Sequence, residues 1–387
     1  MKRKILAILV VALLVGCYPV QWVDVSPDGK ALLFSDPRKG VFWLTPDGKE
    51  VKRLAENGWC ARFSPDGRYC VFMAGWNPAS GQPPEQVDLV VYDLTAEERK
   101  VLRSWQTPED ERVFILPSWR PDGKEIAYVL WRMKKQGEGQ QTELHIINLE
   151  TKSDRLIQKN VGIYCSWSQD GERLAFYRSE LEAPGLPKGY ALGSLSISEK
   201  DGAEAVAGLL LDSYADVTWL SNDRILFVSP KISLPCSERE KNNMEEAVYV
   251  FDLATKTAAP IYETKGVSWR ALSSCLRLSP DRRRFLFGTH EPGSEPGRGG
   301  KVRLWCYDLT SSTKTMIAEA EMDAYPFWLS NDKVGYFESE DKMVIAEITD
   351  KSQVVSKEPL ELKELLAPFQ PEKEPQPKPA PEPVEGE

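Results

Sequence analysis

The 387-residue chain carries 49 basic and 58 acidic side chains and only two histidines. Three of the basic residues stand at its extreme start, and the longest basic run elsewhere is Arg282-Arg283-Arg284, so the balance argues against nucleic acid as a partner. His145 and His290 stand in no metal-ligand spacing, and no metal or cofactor is expected.

Lys2, Arg3 and Lys4 precede an apolar stretch from Ile5 to Leu14, which is too short to span a membrane comfortably and reads as an export signal. Leu14-Val15-Gly16-Cys17 resembles the lipobox of bacterial lipoproteins. The resemblance implies cleavage before Cys17 and a diacylglyceryl group on its sulfur, with residues 1–16 the signal peptide and 17–19 a lipid anchor and short linker. Two or three lipid chains hold a protein firmly where one holds it marginally. Tyr18 follows in place of Asp, and by resemblance to Gram-negative sorting this implies, if the host is Gram-negative, an outer-membrane lipoprotein facing the periplasm.

From there one unit recurs. Its copies are centred on Asp28, Asp66, Asp122, Asp170, Asp223, Asp281 and Asp332, and a period near 50 residues is that of a propeller or array. Phe63-Ser64-Pro65-Asp66-Gly67 is typical: serine, a proline preset near φ −65°, Asp, then a glycine free to take positive φ. That is a type I turn closing a hairpin with a bulge. Arg224, Arg282 and Lys333 replace the glycine, and Gln169, Asn222 and Asn331 replace the proline, which should weaken the turn without abolishing it. An Asp that bonds its own backbone already has a local task, so the seven aspartates read as structural turn residues rather than metal ligands.

Each turn joins two apolar, β-branched strands, and a third strand follows, as at Val87 to Leu94, Glu143 to Leu149, Ala247 to Leu253 and Lys301 to Leu309. A fourth closes each repeat. A four-stranded sheet of this size cannot bury both faces alone, so the sheets stack radially into an all-β, seven-bladed propeller over residues 20–366. The repeated turn and Asp-Leu strand resemble the TolB-like, WD-like propeller repeat. Six blades, with the first repeat helping to complete the last blade, is the alternative.

Trp59, Trp119, Trp167, Trp219 and Trp328 precede the turns and should fill gaps between blades. Trp76, Trp105 and Trp131 fall outside the repeated slots and are candidate contact residues on loops. Pairing Ser64 with Arg68 sets Cys60 and Cys70 diagonally, beyond disulfide reach, so free thiols are expected there; the state of Cys165, Cys236, Cys275 and Cys306 is left open. Residues 367–387, rich in Pro and Glu, read as a disordered tail.

With no Gly-x-Ser-x-Gly elbow and no hydrolase domain after the propeller, the chain is expected to be a scaffold rather than an enzyme, binding an unidentified protein or envelope polymer. The rival is an enzyme or small-ligand receptor using carboxylates gathered at the channel mouth.

Overall fold

The protein is described by a computed structural model covering residues 21–369 except 37, 76–83, 135–139, 182–189, 200–201, 213–215, 232–244, 264–275, 291–301 and 321–324. Cys17, Trp76, Cys236 and Cys275 therefore lie outside the described residues.

The Asp turn organises the fold from below. In the first repeat Gly29 N donates to Ser26 O at 2.8 Å, and Ser26 N donates to Ala31 O at 2.9 Å. The Ser26 hydroxyl accepts from Ala31 N and donates to Asp28 Oδ1 at 2.7 Å, and Asp28 also accepts from Lys30 N. The serine-to-aspartate bond recurs at Asp66, Asp170, Asp223, Asp281 and Asp332. In the third repeat Arg120 stands in the serine position, and Asp122 accepts from Lys124 N.

One detail corrects the sequence reading. Ser64 pairs with Tyr69 rather than Arg68, because its carbonyl already accepts the Gly67 N–H inside the turn. Phe63 is then opposite Cys70 and Arg62 opposite Val71, with a bulge between Trp59 and Arg62. Cys60, Cys70, Cys165 and Cys306 are free thiols.

The departures from the motif have separate solutions. Arg282 takes the left-handed conformation itself, at φ 58°, whereas the fifth and seventh repeats shorten the turn so that Ser221 pairs with Arg224 and Ser330 with Lys333. The two asparagines gain something the proline lacked. Asn222 Oδ1 accepts from Asp170 N, and Asn331 Oδ1 from Asp281 N, each reaching the turn of the preceding blade.

Seven four-stranded antiparallel sheets result, each made of four consecutive strands, and they form a seven-bladed propeller with blades at 22–55, 58–106, 111–159, 161–212, 217–263, 277–320 and 327–361. Among the described residues no strand is exchanged between the first and last blades, and the seven complete sheets remove the six-bladed alternative.

Tryptophans join the blades as expected. The indole N–H of Trp119 donates to Arg62 O, Trp167 to Ser118 O, Trp219 to Ser166 O and Trp328 to Arg277 O, in each case the inner strand of the preceding blade. Trp59 packs edge-on against Phe114 of the next blade at 6.2 Å.

The ring closes through side chains. Phe34 of blade 1 meets Phe337 of blade 7 at 6.1 Å within a shared apolar cluster, while Arg38 pairs with Glu340 and Lys39 with Asp341. A short helix, α1 (Leu362–Leu366), buries Leu362 and Leu366 in the same cluster. The turn Ala367–Phe369 then places the Phe369 ring 5.6 Å from Phe42, and its carbonyl accepts from Arg53. The packed domain thus runs to residue 369, three residues into the stretch read as tail.

Candidate functional site at the channel mouth

Each inner strand starts at one face of the ring and ends in its Asp turn at the other. Because strands alternate in direction, the second-to-third and fourth-to-first connections all open on the starting face. The seven aspartates therefore mark the face opposite to that of the long connections.

Trp22, the first residue of the inner strand Trp22–Val25, gathers side chains from three other blades. The Arg62 guanidinium lies 4.2 Å from its ring centroid and that of Arg277 5.4 Å, and the Tyr164 ring stacks at 6.5 Å and 24°. Residues of blades 1, 2, 4 and 6 meet only on the central axis, so this cluster lies in the channel. Trp22 is 4% exposed and plugs it.

Local backbone places these groups. Cys60 sits in the bulge at φ 54°, a left-handed conformation that re-aims the strand so that Trp59 faces blade 3 while Arg62 enters the channel. Arg277 is the first residue of Arg277–Leu278. Each arginine has a carboxylate: Arg62 donates to Asp24 at 3.3 Å, and Arg277 donates to Asp216. Asp24 also accepts from Phe63 N at 2.8 Å. A cavity of about 20 Å³, lined by Trp22, Ser118 and Tyr164 among others, lies beside the plug. Among the described residues Trp22 Nε1 has no acceptor. Cys60 and Cys165 line the same cavity; burial pushes both thiols up to about 12, which leaves them unreactive.

The rival sequence reading looked for converging carboxylates. Here Asp24 and Asp216 are engaged by arginines, and the chemistry on offer is two planar cations over an indole. Sequence reasoning passed over all six residues, although Asp24 and Arg62 were visible as polar residues inside otherwise apolar inner strands. Among the proposed contact residues, Trp131 is fully buried, 5.2 Å from Phe114, because its strand Glu125–Lys134 continues past the repeated slot with the apolar alternation intact. Trp105 is half-buried against Tyr128.

His145 belongs to a second polar cluster, between blades 2 and 3. Its Nδ1 lies 3.4 Å from Asp154 Oδ1 and its Nε2 3.3 Å from Glu143 Oε2. Asp154 also accepts from Tyr128 OH at 2.8 Å and Arg103 Nε at 2.9 Å, and Lys159 pairs with Glu143. Burial works against the charged imidazole, but the hydrogen bonds and charges of Asp154 and Glu143 outweigh it and hold the His145 pKa above its ordinary 6.5. Its contribution to stability is present in full below about pH 6.5 and is lost as pH rises through the elevated folded-state value. Melting curves between pH 5.5 and 9 should show that decline in the wild type and a flatter profile in His145→Gln; identical profiles would remove the histidine as its source.

No family model matches the chain. An uncharacterised protein of Agrobacterium fabrum is 28% identical over 112 residues, 27% of this chain and 38% of that protein, so the chain spans well under half of that curated relative. Among solved structures, an oligogalacturonate lyase in complex with manganese superposes with a TM-score of 0.59 at 15% identity, over 85% of this chain and 88% of that one. The oligogalacturonate lyase of Vibrio parahaemolyticus does so with 0.59 at 13% identity, over 85% and 89%. TolB from Acinetobacter baumannii gives 0.48 at 15%, over 80% and 66%. The likeness is one of fold.

That likeness corrects one expectation. The chain was read as no enzyme because it is a propeller without an appended hydrolase domain, yet the two lyases are enzymes matched over nearly nine-tenths of their own length. A propeller of this extent is thus sufficient for catalysis, and the ground for the exclusion is gone. Among the described residues no three His, Cys, Asp or Glu side chains come together as metal ligands.

Proposed function

We propose that the channel binds a carboxylated saccharide at the Trp22 cluster, and that the protein acts on that ligand there as an exported, lipid-anchored propeller enzyme. The observation that carries this reading is the approach of two guanidiniums, Arg62 and Arg277, to the one Trp22 ring. A guanidinium presents a planar fork of donors that fits a carboxylate. Two such cations near one carboxylate offset its charge, which is what removal of a proton beside that carboxylate requires. The fold shared with two proteins named as oligogalacturonate lyases supports the choice of ligand class. Leu14-Val15-Gly16-Cys17 supports the anchor.

Titration calorimetry with oligogalacturonates and with neutral galactose oligomers tests the site. The acidic oligomer should bind, with affinity falling about tenfold in Arg62→Lys and in Arg277→Lys, which keep a charge beside Asp24 and Asp216 but lose the fork. Ultraviolet absorbance of an unsaturated uronate product reads turnover in the same samples. Equal binding of the neutral oligomer, or none of either, would sink the reading. For the anchor, Cys17→Ser should move the folded protein from membrane to soluble exported fraction; a variant that stays with the membrane would count against lipidation.

A further inference from the structure

The face of the ring that holds the Asp turns carries a site of its own. Around the Asp-turn face, neighbouring blades are bridged at or beside their turns. A Cβ on Gly67 would lie 3.3 Å from Pro27, and one on Gly29 2.4 Å from Leu329 O. Arg120 donates to Gly171 O, Arg282 to Trp219 O, and Asn222 and Asn331 accept from the turns before them. These contacts close the seams between blades 1 and 2, 7 and 1, 3 and 4, 5 and 6, 4 and 5, and 6 and 7. At the remaining seam, between blades 2 and 3, a Cβ on Gly123 would meet nothing within 4 Å.

That opening is a groove of about 570 Å³. Its floor is apolar, with Tyr69, Leu102 and Leu149 packed on the core beneath, and Pro65 of blade 2 and Pro121 of blade 3 also line it. Among the described residues, the charged side chains lining it are Asp66, Asp93, Glu98 and Asp122 against the one cation Lys100. Asp93 is partly compensated by Arg68 at 2.9 Å, and Asp122 by Arg120 at 3.6 Å.

We propose that this groove is the docking site for an extended, cationic segment of another protein, one that sets lysines or arginines on the acidic rim and proline or aliphatic side chains on the floor. Charge selects this occupant. The chain's own residues 370–387 hold five glutamates and two lysines, the same sign as the groove, and a second copy of so acidic a chain is disfavoured for the same reason. Extended proline-bearing peptides suit such a trough because they lose little conformational freedom on binding. The groove shares no lining residue with the cavity beside Trp22 and does not depend on the saccharide reading.

Fluorescence polarisation with a labelled synthetic peptide alternating lysine with proline and leucine provides the test. The full mature chain should bind it, with affinity falling about tenfold in Glu98→Lys and in Asp122→Lys and falling again as salt is raised. Glu98 is exposed at the start of its strand, so that variant should keep the wild-type melting curve. A lysine–serine peptide of equal charge should bind distinctly more weakly, since it offers nothing to the floor. Equal binding of the two peptides, unchanged affinity in both variants, or tighter probe binding once residues 370–387 are removed would overturn the proposal.

Discussion

Replacing Trp219 with alanine should destabilise the propeller by about 3–5 kcal/mol, the range for emptying a large aromatic from a packed core. The ring is 1% exposed among Val217, Ile225 and Phe227, and it sits where two blades meet rather than inside one. Its indole donates to Ser166 O of blade 4 at 2.8 Å, the Arg173 guanidinium lies 5.6 Å from the ring, and its own carbonyl accepts from Arg282 of blade 6. Trp219→Phe separates the components. It keeps most of the apolar body but strands the Ser166 carbonyl, and should cost about 1–3 kcal/mol. Urea unfolding of the three proteins reads the difference, and a Phe variant as unstable as the Ala variant would show that the bond, not the volume, carries the seam.

The second large effect is expected where the ring closes. Leu366 is 2% exposed in the cluster shared by blades 1 and 7, and Leu366→Ala should cost about 2–5 kcal/mol. The helix that carries it is only five residues long and has no side-chain cap, so it holds its place by burial rather than by propensity. Leu362→Ala should act on the same contact, and the double variant should cost less than the sum of the singles, because once one leucine is gone the other has less to pack against. Additive losses in urea titrations would mean that the two residues secure different parts of the seam.

Local chemistry made the fold legible. Serine, proline, aspartate and glycine at fixed offsets prescribe a turn whatever surrounds it, and tryptophans at a fixed place before that turn announced the contact between blades. The register slip at Ser64 came from counting residues without asking which carbonyl the turn itself consumes. The candidate site was another matter. Trp22 and Tyr164 stand four residues before the turn serines Ser26 and Ser168, and Arg62 and Arg277 two before Ser64 and Ser279, so the repeat aligns them in pairs; but they belong to four blades, and only closure of the ring brings them to one axis. Trp131 misled for the opposite reason, since a strand longer than its counterparts carried a core residue into what the repeat marked as loop. Asn222 and Asn331 looked like weakened turns and proved to be links between them.

Since every blade is built from four consecutive strands, each sheet can complete itself as soon as its own segment of chain has emerged. Pairings within a blade are near neighbours in sequence, a topology that favours rapid local folding. Contacts such as Arg38 with Glu340 and Lys39 with Asp341 join residues 302 positions apart and can form only last. As the chain emerges from its amino terminus, finished blades would accumulate in order. The final step would then be a docking of preformed surfaces, with no edge strand left waiting for a distant partner to pair with it.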